Sequence, residues 1–375
     1  MKYAHYATAL AVITCQHGTA ISIPRITPSS VTKTGTDGLG LPNDGLKANC
    51  ISIGFLPSEG DASSPRYTMA QINDKLGAKS STYGWYAQIK SSSFDGSQLL
   101  AMKDDIVSSG AVFISPDVAS QVAKVMKEFT DAGVEVWLRF AHEMNWYVTD
   151  GTYQGTSQDF ITAWKNIYDA NCKNNEHVKC FWSPNQAGSM SDLEPYWPGP
   201  DYVDLVGIDC YPKSSDDTSG NALFAKLYGD FYNTYSAPYG KPFAIGETGA
   251  GTGQKEGWLK QLVSQDKTKY PNYVSMSWFE FDKEADFRIV MTDDSTLQQT
   301  KDMLLSGGNE SCGGSGNGTI PITGTPEPNA TTGTKLTSTK APAAEPTCDW
   351  GCWGWDCSAT VPCQEPWTCK GGYCK

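Results

Sequence analysis

The sequence predicts an α/β chain built on a (β/α)8 TIM barrel, followed by a linker and a small cysteine-rich module. Three observations carry this. Short continuous apolar runs alternate with amphipathic stretches, the pattern of parallel strands covered by helices. Eight such units fit within about 260 residues, the span of a single barrel. No glycine-rich phosphate turn follows the first strand, so a doubly wound open sheet is the weaker match.

Taken in order, the expected strands are 50–55, 82–89, 110–114, 134–140, 178–182, 202–209, 242–246 and 273–281. The clearest helical patterns lie between them at 117–132, 157–171, 222–235 and 254–264. Ahead of these, Lys2, an apolar stretch from Ala7 to Cys15 and the small residues Gly18-Thr19-Ala20 read as a secretory signal over 1–20. Residues 21–45 read as a leader and 46–311 as the barrel. Residues 312–347 are Gly, Ser, Thr, Pro and Ala with almost no large apolar side chain, a composition that cannot pack a core. The sequons at Asn309, Asn317 and Asn329 sit at or inside this linker, where glycans are tolerated.

The last segment, 348–375, holds Cys348, Cys352, Cys357, Cys363, Cys369 and Cys374, half of the twelve cysteines of the chain. Such density describes a disulfide scaffold and an oxidising, extracellular setting. Trp350, Trp353, Trp355 and Trp367 in the same segment suit stacking on sugar faces, so it is expected to anchor the chain to polysaccharide. The C-x3-C-x4-C spacing lacks the paired C-x2-C and His of a zinc site, and no metal or cofactor is expected. In the body, Cys172 and Cys180 are close enough to bridge, Cys50 and Cys312 flank the barrel as a second pair, and Cys210 is left as a thiol beside the cleft.

A net charge of −12 repels phosphate backbones and argues against nucleic-acid binding. The only markedly apolar run is the N-terminal one, which is too short to span a bilayer, so no membrane anchor is expected. A monomer is expected.

Barrel enzymes carry their chemistry at the C-terminal ends of the strands. Here those ends gather carboxylates and aromatics: Arg139 to Tyr147, Phe181 to Gln186, Gly207 to Tyr211, Phe243 to Glu247 and Ser277 to Asp282. Sugars present hydroxyls for carboxylates and C–H faces for indoles and phenols, so this composition describes a carbohydrate cleft. Hydrolysis with retention needs two carboxyl groups about 5–5.5 Å apart. Glu143 after the fourth strand and Glu247 at the end of the seventh suit that pair. If the fourth strand runs on, Arg139, Ala141 and Glu143 share the inward face. Glu135, Asp204, Asp209, Glu280 and Asp282 compete as second carboxylate. A Ser-His-Asp esterase is disfavoured because no G-x-S-x-G occurs.

The stretch Arg139-Phe140-Ala141-His142-Glu143-Met144-Asn145 resembles the R-x-x-H-E-M-N signature of glycoside hydrolase family 26. Trp182-Ser183-Pro184-Asn185, the P-G-x-x-Y-V-D at Pro198–Asp204, Gly207-Ile208-Asp209-Cys210-Tyr211 and the P-F-x-I-x-E at Pro242–Glu247 follow in the same order. The resemblance covers about residues 50–305. It implies a retaining, endo-acting β-1,4-mannanase, or the same chemistry on β-1,3-1,4-glucan or β-1,3-xylan. It makes Glu143 the acid/base and Glu247 the nucleophile. His142 would touch the sugar or the acid/base, and Tyr211 would hydrogen-bond the nucleophile. Arg139 and Asn185 would orient the site, Asn145 would bind substrate, and Trp146, Trp182 and Trp278 would form subsite walls; Asp209 reads as a brace of the site. A glycan-binding barrel without activity is the rival of another class.

Overall fold

The computed structural model describes residues 38–60, 65–87, 96–115, 119–306, 369–370 and 373–374. Nine strands form one mixed, curled sheet: β1 (Lys47–Ala48), β2 (Ile51–Pro57), β3 (Thr82–Gly84), β4 (Val112–Ser115), β5 (Val136–Leu138), β6 (Val178–Trp182), β7 (Leu205–Val206), β8 (Phe243–Thr248) and β9 (Tyr273–Glu280). β1 is an antiparallel flap on β2. From β2 onward every neighbour is parallel and in chain order. β9 then pairs with β2 from Ser52↔Ser275 to Pro57↔Glu280, which makes the sheet TIM-barrel-like. All eight expected strands are present.

The flanking helices are α1 (Met69–Leu76), α2 (Ser97–Leu100), α3 (Lys103–Ser109), α4 (Ala119–Thr130), α5 (Met144–Tyr147), α6 (Ser157–Ala170), α7 (Ala222–Phe231), α8 (Lys255–Val263) and α9 (Asp294–Leu305). Their sequences say where they begin. Thr156 caps α6 by accepting from the Asp159 N–H while the Asp159 side chain reaches back, and Phe160, Trp164 and Ile167 then repeat along one buried face. Thr68 and Gln71 do the same for α1, which ends at Gly77 in a left-handed conformation.

The interior is layered. At the bottom, Leu39, Val112, Trp137, Phe181, Leu205, Ala244 and Val274 form an apolar plug, with the Trp137 indole donating to the Leu39 carbonyl (2.9 Å). Leu39 falls within the expected leader, and its burial adds the end of that leader to the packed body. Higher up, small and hydroxyl side chains take over: Thr82 and Ser277 share a hydrogen bond of 2.9 Å across the interior. Gly246 is required here, because a Cβ at that position would lie 2.6 Å from the Arg139 guanidinium carbon.

Cys172 and Cys180 are bridged as expected, tying the end of α6 to β6. Cys50 is also in a disulfide; its expected partner, Cys312, lies outside the described residues. Cys210 is a buried free thiol, yet it does not border the cleft. Asp209 takes the inward direction, so the neighbouring Cys210 turns outward and meets the Leu227 carbonyl (3.7 Å). In the tail, Cys369–Lys370 pairs antiparallel with Tyr373–Cys374. The signal segment, the linker, the sequons and the tail tryptophans lie outside the described residues.

Candidate active site

Three carboxylates meet at the C-terminal mouth of the sheet. Glu143, Asp209 and Glu247 are all buried, and one oxygen from each lies within 4.8 Å of the others. Glu247 belongs to β8, where Ala244 and Gly246 face inward; the register breaks between Ile245 and Thr248, and that irregularity turns Glu247 to the same interior. Glu143 arrives otherwise. β5 stops at Leu138, and the chain turns through left-handed conformations at Ala141 (φ 45°) and Glu143 (φ 52°). The expected run of inward residues to position 143 therefore does not form. Instead the Glu143 N–H bonds to the Ser183 carbonyl (2.8 Å) beyond β6, fixing the turn. Non-glycine residues in this region carry strain, and two within three positions mark a place where geometry is imposed.

Arg139 sits beneath as a buried cation. It bonds Asp209, donates to Ser183 Oγ (3.1 Å) and lies 4.0 Å from Glu247 Oε2. Asp209 Oδ1 also accepts from Ser183 Oγ (3.0 Å) and from the Glu247 N–H (3.1 Å). Asp209 is thus a brace. The competing carboxylates are occupied elsewhere. Glu280 faces the outer layer and accepts from the N–H groups of Ile289, Val290 and Met291 (2.7–3.1 Å). Glu135 pairs with His177, Asp204 accepts from the Cys180 N–H, and Asp282 pairs with Arg288.

Burial raises all three site carboxyls. Glu143 is pushed to about 8, by desolvation first and the Asp209 charge second, against a hydrogen bond with Asn185. Desolvation also takes Glu247 to about 8, although the Lys283 ammonium opposes it. Asp209 reaches only about 6 because Arg139 stabilises its charge. Glu247 has Arg139 and the Tyr86 hydroxyl on Oε2, whereas Glu143 faces Asp209. Arg139 lowers Glu143 as well, so both glutamates remain held towards the protonated form while Asp209 takes the charge more readily. His142 is held well below its ordinary range by burial and Arg139, so it is neutral. Its Nδ1 and the Arg139 Nε are buried without a hydrogen-bond partner among the described residues.

The expected orienting and binding residues converge. Asn145 Nδ2 donates to the Asn185 carbonyl (3.0 Å) and the Asn185 N–H returns a bond to Asn145 Oδ1 (2.9 Å). Trp146 is exposed at the rim. Trp182 and Trp278 are not walls. Both are fully buried and face outward, since Phe181 and Ser277 take the inward positions beside them. Trp182 stacks on Phe231, and the Trp278 indole donates to the Phe287 carbonyl (2.7 Å). Tyr211 packs edge-on against Phe279, with ring centroids 6.0 Å apart, and Tyr86 rather than Tyr211 hydrogen-bonds Glu247.

Tyr86 and Phe279 are the residues sequence reasoning missed. Phe279 stacks on Phe281 (4.0 Å, 11°) and packs with Tyr86, Tyr211 and Phe287 around the mouth. Alternation pointed to both: Phe279 shares the inward parity of Ser277, as Tyr86 shares that of Thr82.

Two buried glutamates, an arginine-braced aspartate and an aromatic rim at the mouth of a TIM-barrel-like sheet form the geometry of a glycosidase site. The chain belongs to glycosyl hydrolase family 26, whose sequence model matches residues 75–295. It is similar to endoglucanase H of Acetivibrio thermocellus (28% identical, over 45% of this chain and 20% of that one). It is also similar to a mannan endo-1,4-beta-mannosidase of Bacillus subtilis (26% identical, over 41% of each). The chain thus spans less than half the length of these relatives. Among solved structures, a double mutant of the Cellulomonas fimi endo-beta-1,4-mannanase shares the fold, with a TM-score of 0.52 at 16% identity, over 73% of this chain and 75% of that one.

Proposed function

We propose that this chain is a secreted, endo-acting glycoside hydrolase that cleaves β-1,4-mannosidic bonds with retention. The observation that carries the reading is the close approach of two buried carboxyls, within 4.8 Å at their oxygens. Retaining enzymes hold them about 5–5.5 Å apart, whereas inverting enzymes leave about 6.5–9.5 Å for a water. In the first step a Glu247 oxygen bonds to the anomeric carbon as the glycosidic C–O bond breaks, and the departing oxygen takes the Glu143 proton. In the second, Glu143 removes a proton from water, the water oxygen bonds to the same carbon, and the ester bond to Glu247 breaks. No cofactor takes part. Neutral His142 offers its unpaired Nδ1 toward sugar hydroxyls, and Trp146 offers a stacking face.

Mannan as substrate rests on the mannanases among the relatives, and export on the signal-like N-terminus and the Cys172–Cys180 disulfide. The pairing of β9 with β2 supports a closed (β/α)8 barrel, and the tail tryptophans suit a grip on polysaccharide. Similarity to an endoglucanase favours β-1,3-1,4-glucan as the second reading.

The test is reducing-sugar release from mannan, galactomannan, lichenan and β-1,3-xylan by wild type, Glu143→Ala and Glu247→Ala, with product anomers followed by NMR. Release from the mannans alone, β-anomer first, and loss in both variants are expected. Release from lichenan alone transfers the reading to glucan. Release from none removes it.

A further inference from the structure

We infer that Tyr86 positions the nucleophile, its hydroxyl holding one oxygen of Glu247 so that the other faces the sugar. The inference deepens the proposed function and rests on it. Tyr86 follows β3, two residues beyond Gly84, and reaches the mouth beside the Glu143 turn, where its ring packs on His142. Its hydroxyl donates to Oε2 of Glu247. The same oxygen has the Arg139 Nη1 at 4.0 Å. Among the described residues no hydrogen bond falls on Oε1. The carboxylate is therefore held from one side and free on the other, so Oε1 is the attacking atom.

The Tyr86 ring also tilts against His142, with centroids 5.3 Å apart at 30°, and Tyr147 meets that imidazole edge-on at 5.5 Å. One side chain thus touches the nucleophile with its hydroxyl and the neighbour of the acid/base with its ring. In the glycosylation step an Oε1 lone pair forms the bond to the anomeric carbon. Oε2 becomes the carbonyl oxygen of the ester and keeps the Tyr86 hydrogen bond. Water addition later breaks the Oε1–carbon bond and returns the carboxylate to the same grip.

The hydroxyl and the ring separate experimentally. Tyr86→Phe keeps the ring against His142 and removes only the donor; Tyr86→Leu removes both. The measurement is kcat and KM on galactomannan and on lichenan from pH 3 to 9. A hydrogen bond to the charged form lowers a carboxyl pKa, so its loss raises the acidic limb of kcat/KM. The expected results for Tyr86→Phe are an upward shift of about half to one pH unit, a roughly tenfold or greater fall in kcat and little change in KM. Tyr86→Leu should show the same limb shift. Packing alone would lower activity without moving the limb. An unmoved limb in an active Tyr86→Phe variant overturns the inference by itself, as does a limb moved in Tyr86→Leu alone. Wild type inactive on both polymers overturns the reading of the site, and this inference with it.

Discussion

The two ends of the sheet interior are opposites. At the bottom, seven apolar side chains interlock and their one polar group, the Trp137 indole, is satisfied by the Leu39 carbonyl. At the mouth, three buried carboxyls share one arginine, and two nitrogens lack partners among the described residues. The bottom obeys every rule of packing; the mouth breaks several within a few ångströms. The difference separates what holds the molecule together from what it does, because buried charge and left-handed backbone persist only where rigid surroundings impose them.

Four measurements test that contrast. The largest effect belongs to the mouth: Glu143→Gln should lower kcat on polymer by on the order of 10²–10⁴, with near-native circular dichroism. Next is the bottom, where Trp137→Ala should cost about 3–5 kcal/mol in urea denaturation while kcat at low temperature stays within about twofold. A large kcat loss there would show the two ends to be coupled. On the outer wall, replacing Cys172 and Cys180 together by Ser should cost about 2 kcal/mol, the closure entropy of a short loop.

The smallest effect is one of sign. In the folded state Glu143 titrates near 8 instead of the usual 4.5, so folding favours its protonated form. Its ionisation penalty is absent below pH 4.5 and grows as pH rises towards 8. Glu143→Gln should therefore raise Tm by on the order of 5 °C at pH 7 and leave it unchanged at pH 4. A gain that persists at pH 4 would mean that burial of the ionised carboxylate is not its source.

Much of this was legible beforehand, and the reasons differ by residue. The strands were readable because a short continuous apolar run must be covered on both faces, as a barrel strand is. Glu143 and Glu247 were readable because both end such runs and their flanking motifs match a family. Parity misplaced the approach of Glu143, since it assumed that β5 continues, and only the backbone reveals the turn at Ala141. Trp182 and Trp278 were misplaced because chemical suitability outweighed alternation, although Ser277 beside Trp278 was already the better inward candidate. Tyr86 escaped notice because its segment carries no motif. Its role depends on a neighbour 161 residues away, which spacing cannot show.

The pairing of β2 with β9 also governs how the chain is made. Ser275 Oγ donates to the Ser52 carbonyl across 223 residues of sequence. β2, early in the chain, thus waits for β9 before its parallel pairing on both edges is complete. Contacts so distant slow folding and leave strand edges exposed meanwhile. The pairing of β2 is complete only once translation has passed residue 280.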